Sequence, residues 1–415
     1  MLKLYETKEN RSIKNATARE FHKAFFIILK IFQVLDEPIP KWTYFVKIIM
    51  IFCALIATGI LSLAIYHGIE IFDLPFITEA GVYFLIMSYK LLILSCTRLN
   101  VINYYALHSI MEEDFKYIYG KGSKYRTKFL RKQILTKKIF KLAIVFTGAI
   151  GSGMLIFAVC SLAFHSITNN SGDRKRPLLF PFWIFEIDFG LTPTYEIAFM
   201  FSNICICAYV LNYVFMIGTQ IMWIREIALK ADIVIWSIED LMEGITHTRD
   251  TQMEMYFANL LKLRMKDIIQ QHYSMISLLE HYAQVYKKLL LFEQKISAPV
   301  VCLSAYAATE VKWDAGEFNA ILILLCVGAI TLIFIPCYLC TFLCVKINSI
   351  CYACWNIPFW NAGPVIRPYL LLIMQRSLQP LPIKSPGFEE VSLQTFSNKM
   401  ASAYSFFNML RQANI

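Results

Sequence analysis

Residues Phe318–Val345 run for 28 positions without a single Asp, Glu, Lys or Arg. A segment that long and that apolar has one stable setting, a helix across the hydrocarbon core of a bilayer, where about 20 residues suffice. In that setting every backbone N–H and C=O must be paired inside the helix itself. Four further runs obey the same logic at Tyr44–Ile65, Leu74–Ser95, Leu142–His165 and Tyr195–Ile217. A sixth, near Leu289–Ala308, has an uncharged part, Ile296–Ala308, that is too short to cross, so its helix must reach back through Lys295 and Glu293. A seventh candidate at Phe388–Leu410 is one that hydropathy alone misses. The composition agrees: 57% hydrophobic and 17% charged residues stand against about a quarter charged in soluble chains. Fifteen per cent aromatic residues with only 16 glycines exclude a disordered or collagen-like chain.

Charge orients the spans, because Lys and Arg collect on the cytoplasmic side. Residues 1–41 carry 8 of them, 96–141 carry 11 and 218–297 carry 9. The alternate loops carry none (66–73), 3 (166–194, at Arg174–Arg176) and 1 (Lys312). The expected N-terminus is therefore intracellular, and a seventh span places the C-terminus outside. This inverts the arrangement of G-protein-coupled receptors. The net charge of +10 is accounted for by this topogenic signal rather than by nucleic-acid binding. The first twenty residues hold many charges and no apolar h-region, so insertion is expected to depend on the internal segments.

Residues 218–297 have few helix breakers, with apolar positions at Ile227, Ile233, Leu241, Met255, Leu260, Leu263, Ile268 and Met275. They predict helices that project into the cytoplasm and pack either against partner subunits or as a hairpin within one subunit. The 12 cysteines fall in spans or on the basic side. Cys351 and Cys354 form a lone CxxC without the second pair or the histidines that zinc needs. No metal or cofactor is expected, and no HExxH, GxxxxGK[ST], GxSxG or GxGxxG gives an enzyme reading a catalytic residue. Lys47 and Lys90 lie inside spans but near their cytoplasmic ends, which predicts snorkelling or an inter-helix salt bridge.

The final segment is the most informative. Phe396, Met400, Ala403, Phe407 and Leu410 repeat at helical spacing, and Gln394, Asn398, Ala401, Ser405, Asn408 and Gln412 repeat on another face. Polar side chains at membrane depth must meet protein or water. Set around an axis with its copies, such a helix offers Asn398, Ser405, Asn408 and Gln412 to a water-filled conduit, a lining suited to a weakly selective pore. The alternative, an amphipathic helix on the membrane surface, expects Lys and Arg on the polar face, which this face lacks. Just upstream, Pro380, Pro382, Pro386 and Gly387 separate this helix from a shorter one near Val365–Gln379.

These last residues resemble the insect odorant receptors. The resemblance rests on Tyr352 and Trp355, Arg376 with Pro380-Leu381, Gly387-Phe388, Thr395-Phe396, Tyr404-Ser405-Phe406-Phe407 and Leu410-Arg411, over roughly the last 65 residues. Leu410-Arg411 replaces the Gln-Phe ending of the related gustatory receptors. The second cytoplasmic loop is shorter than that of the shared co-receptor, which implies a ligand-binding tuning subunit. The resemblance implies an all-α fold with seven transmembrane helices, an intracellular N-terminus, a cytoplasmic helical anchor and a split seventh helix. Its parts are a cytoplasmic segment (1–43), spans 1–4 (44–217), an anchor loop (218–288), spans 5–6 (289–345), a further anchor segment (346–387) and a pore-lining half-helix (388–415). It implies a heterotetramer with the odorant co-receptor in the plasma membrane of sensory neurons, passing monovalent and divalent cations. Met409 falls at the gate, with Gln412 one turn outward, Ser405 one turn inward and Asn408 beside it; Ala413 stands where the co-receptor has a bulkier apolar residue. The implied pocket for a small volatile lies in the outer half of the bundle. Its candidates are Tyr83, Phe84, Met87, Ser152, Ile156, Phe199, Asn203 and Ile321, with plain helix packing the alternative at each.

Two other classes remain as rivals: a metabotropic receptor, which the charge pattern opposes, and a transporter, which needs repeated halves with broken helices. The sequons also report topology. Asn169→Gln is expected to abolish a glycosidase-sensitive mobility shift, whereas Asn10→Gln and Asn15→Gln leave it unchanged.

Overall fold

The computed structural model describes residues 17–35, 41–168, 178–244 except 186 and 190, 251–310, 320–357, 365–379, 381, 383 and 390–413. Eleven helices occur among them: α1 (Ala18–Phe21), α2 (Lys23–Ile31), α3 (Lys41–Glu70), α4 (Leu74–Leu99), α5 (Val101–Gly120), α6 (Ser123–Thr168), α7 (Thr194–Glu239), α8 (Thr251–Glu310), α9 (Ala320–Asn356), α10 (Arg367–Ser377) and α11 (Leu393–Ala413). Six of these, α3, α4, α6, α7, α8 and α9, are long and apolar enough to cross a membrane. The sequon at Asn169, the sequons at Asn10 and Asn15, Lys312 and the Gly387-Phe388 step lie outside the described residues.

Local chemistry explains where the helices begin. Asp73 caps α4 by accepting from the Phe76 N–H at 3.1 Å, with Pro75 in the first turn, where a missing N–H costs nothing. Thr17 and Glu20 form a reciprocal capping box on α1. Ser392 caps α11 through the Thr395 N–H at 3.2 Å, and the Leu393 N–H reaches across to Thr341 on α9 at 3.0 Å. The prolines inside α8 (Pro299) and α9 (Pro336) do not end their helices, as neighbouring helices permit in a bundle.

Secondary structure passes straight through the boundaries expected at 217/218, 288/289 and 345/346. The fourth, fifth and sixth spans continue as parts of α7, α8 and α9. The sixth apolar run needs the reach through Glu293 and Lys295 that its length demanded, and α8 supplies it without a break.

Buried side chains form two clusters. The larger surrounds the second half of α7, where Trp223 is enclosed by Phe25 of α2 in a T-shaped contact at 5.3 Å, and it takes in Ile227, Ile233, Leu241, Ile268 and Met275. Much of the apolar character of 218–297 is thus spent inside this subunit, while Met255 and Leu263 remain exposed. The smaller cluster lies among the spans and holds Tyr83, Met87, Met154, Cys205 and Ile321. Gly151 on α6 lets α7 approach closely: a Cβ there would collide with Val210.

Several buried polar groups among the helices of the larger cluster are paired. The His22 ring meets the Gln133 carbonyl at 2.7 Å, and the Gln133 amide donates to both Glu226 oxygens at 2.9 and 3.0 Å. Burial lowers the His22 imidazole to about 4, so it is neutral at physiological pH. On α5, Asp114 forms a buried ion pair with Lys230 of α7. Burial pushes the Asp114 carboxyl up to about 6 in spite of that partner.

Removing one member of a buried pair strands the other, at about 3–5 kcal/mol. Lys230→Met should therefore lower the thermal unfolding temperature of the detergent-solubilised protein, with a penalty that shrinks as pH falls toward about 6, because Asp114 without its lysine takes up its proton above the value it has in the pair. Adding Asp114→Asn should recover most of the loss.

Candidate functional site

Two features of this framework have the chemistry of a site: a small void among the spans, and one face of the terminal helix.

The void lies between α4, α7, α8 and α9, with a volume of about 30 Å³. Its walls are mostly apolar, including Leu85, Ile86, Phe292, Ile296 and Leu325. Tyr89, Tyr209 and Ser297 add hydroxyls, and the ionisable member of the lining is Glu293 of α8, 3% exposed. Its Oε1 accepts from the Tyr89 hydroxyl of α4 and, at 3.4 Å, from the Gln220 amide of α7. Oε2 has no hydrogen-bond partner among the described residues. An ionisable side chain at membrane depth is costly and marks function by default; this one ties three helices together at the edge of the void.

A second void of about 10 Å³ lies between α6, α7 and α9, next to Gly151, Met154 and Tyr213. Both voids are lined by Tyr209 and Leu325, so these two side chains form the partition between them. Space on this scale accommodates water; an organic ligand must displace the partition. Tyr213 fixes the neighbouring wall by donating to the Gly328 carbonyl at 2.7 Å.

The eight residues expected from the sequence divide. Tyr83, Met87 and Ile321 are buried in the smaller cluster, with Phe84 and Phe199 packed against it. Tyr83 meets Phe180 edge-on at 4.6 Å, so the segment before α7 covers that end of the bundle. Asn203 is half-buried and donates to its own helix at the Phe199 carbonyl, 2.8 Å away. Ser152 and Ile156 do not join them. Ser152 is exposed and donates to the Ala149 carbonyl at 3.2 Å, and Ile156 is 62% exposed. The inward face of α6 is instead Gly151, Met154 and Ala158. An apolar stretch carries little rotational signal, so the sequence does not fix which side of α6 turns inward.

None of the eight lines either void. On α7 and α9 the voids lie one to two turns farther along, at Tyr209 rather than Asn203 and Leu325 rather than Ile321, whereas on α4 Leu85, Ile86 and Tyr89 bracket Met87. Glu293 was visible in the sequence as a charge inside a weak span, and that was its functional signal. Lys90, expected to snorkel or pair, does neither: it is 1% exposed and its Nζ has no partner among the described residues. Lys47 is half-buried and donates to Gln33 at 3.4 Å.

The terminal helix α11 docks on α8 and α9 through Phe396, Met400, Ala403, Phe407 and Leu410. Phe396 meets Phe334 of α9 edge-on at 5.4 Å. The opposite face is left uncovered by this chain: Asn398, Ser402, Ser405 and Gln412 are exposed, as is Met409 at 56%, and Asn408 is half-buried. Ser402 and Ser405 donate back to the carbonyls of Asn398 and Ala401 at 2.9 and 3.0 Å. That satisfies their hydrogens within the helix. No group of three His, Cys, Asp or Glu side chains capable of holding a metal occurs among the described residues.

Residues 104–404 match the family described as 7tm Odorant receptor. Odorant receptor 67c of Drosophila melanogaster is 25% identical over 178 residues, 39% of this chain and 43% of that protein. Odorant receptor 85f of the same species is 25% identical over 146 residues, 35% of this chain and 36% of that protein. This chain thus spans less than half the length of either curated relative. The insect olfactory receptor OR5 from Machilis hrabei superposes with a TM-score of 0.71 at 18% identity, covering 95% of this chain and 98% of that one. The same receptor in complex with eugenol superposes equally well, at 17% identity. At these identities the structural likeness is one of fold.

Glu293 offers a direct test of the three-helix tie. Glu293→Leu leaves the Tyr89 hydroxyl and the Gln220 amide without their acceptor, at about 1–3 kcal/mol for each stranded group. Glu293→Gln keeps an acceptor oxygen and the shape, and should cost less than half as much in thermal unfolding of the purified protein.

Proposed function

The chain belongs to the odorant receptor family, and on that premise we propose that it is a tuning subunit of an odorant-gated, non-selective cation channel. The observation that carries this reading is the division of α11 into two faces. Its apolar seam is spent on its own subunit, and its polar stripe is left for an environment that this chain does not supply. Copies of the helix around an axis would put Ser405, Asn408 and Gln412 against water, with Met409 as the apolar constriction between open and closed states.

The ligand in this reading is a small volatile held among the spans by apolar burial, with one or two polar contacts for orientation. The eugenol bound by the similar receptor is a molecule of that size class. Tyr83, Phe84, Met87, Phe199 and Ile321, packed together without lining either void, would become aromatic and aliphatic walls only as a ligand parts them; Tyr89, Tyr209 and Glu293 already line a void. Coupling has a mechanical route. The helices α8 and α9 that line the void are also those on which α11 is docked. A ligand that fits better when the partition at Tyr209 and Leu325 has moved biases α8 and α9 toward one arrangement, and α11 follows. It acts only through its difference in affinity for the two arrangements.

The remaining elements of the proposal are an intracellular N-terminus, an extracellular C-terminus with Asn169 on an outer loop, a plasma-membrane location in sensory neurons and assembly with the odorant co-receptor. The balance of Lys and Arg between alternate loops supports the orientation. The exposed Met255, Leu263 and Tyr273 on α8 support contact with further subunits.

Whole-cell current during a panel of volatiles, with and without an insect co-receptor and with G-protein signalling blocked, tests the proposal. The expected result is a fast cation current that needs both chains and survives the block. Gln412→Glu should then change the relative permeability to divalent and monovalent cations. A response that the block abolishes, or permeation unchanged by Gln412→Glu in assembled complexes, overturns the channel reading.

A further inference from the structure

A separate pocket of about 70 Å³ opens between α6, α7 and α9, lined by Lys132, Thr136, Arg225, Asp232, Phe342 and Lys346. Three cations from three helices face one carboxylate there. Asp232 bridges both lysines, Lys132 at 3.4 Å and Lys346 more closely. Neither bridge includes Arg225. Its Nε donates to Thr136 Oγ1 at 3.4 Å, and its guanidinium lies over the Phe342 ring, 5.5 Å from the centroid. The fork of Arg225 is thus held in place by a hydroxyl and an aromatic face, with no carboxylate within ion-pair distance among the described residues. A positioned guanidinium beside two lysines is the donor set that phosphate takes.

The pocket's place in the molecule narrows the source of that phosphate. Lys346 directly follows the uncharged run of α9, Arg225 lies about two turns beyond the apolar run of α7, and Lys132 about three turns before that of α6. The pocket therefore opens at the end of the apolar belt, on the side where the chain's Lys and Arg collect. From it, exposed Phe146 on α6 and exposed Phe334 and Tyr338 on α9 lead into the belt. An amphiphile with an anionic head and apolar tails fits both halves, whereas a free ion fits only the first.

We infer that this pocket binds the phosphorylated head group of an anionic membrane lipid, with its acyl chains alongside α6 and α9. Asp232 is then the competitor for the two lysines and tunes the affinity. This gives the site a signature that a purely structural salt-bridge network lacks, since removing Asp232 weakens a network but frees the cations of a lipid site.

The purified full chain in detergent is titrated with dioctanoyl phosphatidylinositol bisphosphate, dioctanoyl phosphatidylcholine, inositol trisphosphate and inorganic phosphate. Binding is read by native mass spectrometry and by the shift in unfolding temperature. Wild type should bind the phosphoinositide saturably and the phosphatidylcholine negligibly. Lys132→Gln with Lys346→Gln should weaken phosphoinositide binding about ten-fold or more. Asp232→Asn should strengthen it, and Lys116→Gln with Lys262→Gln, an exposed pair elsewhere, should leave it unchanged. Inositol trisphosphate or inorganic phosphate binding as tightly as the lipid would replace the lipid site by a soluble-phosphate site. No selectivity for the phosphoinositide, or loss of binding in Asp232→Asn, would overturn the inference. So would variants that change only the number of chains per particle, which would make this face a contact between copies. The readout is binding rather than current, so the result stands apart from whether the protein gates a channel.

Discussion

Water is absent from the hydrocarbon core of a bilayer, and a backbone polar group left unpaired there costs several kcal/mol. The six long helices answer that demand locally, because each carries its own hydrogen-bond partners along its length. The side chains answer it less completely. Ser and Thr hydroxyls in the spans largely donate back to carbonyls three or four residues earlier, as at Thr58, Thr147, Ser202 and Thr331. Lys90 and Glu293 are ionisable side chains among the buried groups that keep an atom with no hydrogen-bond partner among the described residues. In a medium that penalises such atoms, Glu293 beside a void marks a part of the bundle not arranged for stability alone.

The helices extend well past the apolar belt, and this gives the molecule two cores of different character. Among the spans, aromatic and aliphatic residues enclose small voids with one acid at their edge. Beyond them, the second half of α7 is wrapped by α2, α5, α6, α8 and α9 around Trp223, with His22, Gln133, Glu226, Asp114 and Lys230 paired inside. Continuous helices join the two cores, and α11 is docked on two of them, α8 and α9.

Parts of this were legible in the chain, and particular residues show why others were not. The seam Phe396, Met400, Ala403, Phe407 and Leu410 was readable because polar residues interrupt it and give the helix a phase. Ser152 and Ile156 face outward on α6, and the apolar stretch Leu142–His165 that holds them offers little phase from which to read that. The boundary at 217/218 was drawn where hydropathy changes, but a helix does not end because its surroundings change. α7 runs on because nothing in Gly218–Glu239 breaks it. Glu293 was seen as a hindrance to spanning. Its meaning came from Tyr89 and Gln220, which lie far away in the chain and meet it only when three helices are packed.

The amino-acid sequence by itself determined that the chain is helical and crosses a membrane several times. Those properties follow from the length and charge of contiguous segments, and the same local information shows that the last helix has one apolar and one polar face. Only the tertiary structure decided which side of each apolar helix turns inward, where space remains between the helices, and which charges meet. Lys132, Arg225 and Lys346 are ordinary basic residues in three separate segments until packing brings them to one pocket with Asp232. These outcomes depend on the fit of side chains from helices distant in sequence, and that fit is set by volume and hydrogen-bond geometry that no single segment contains.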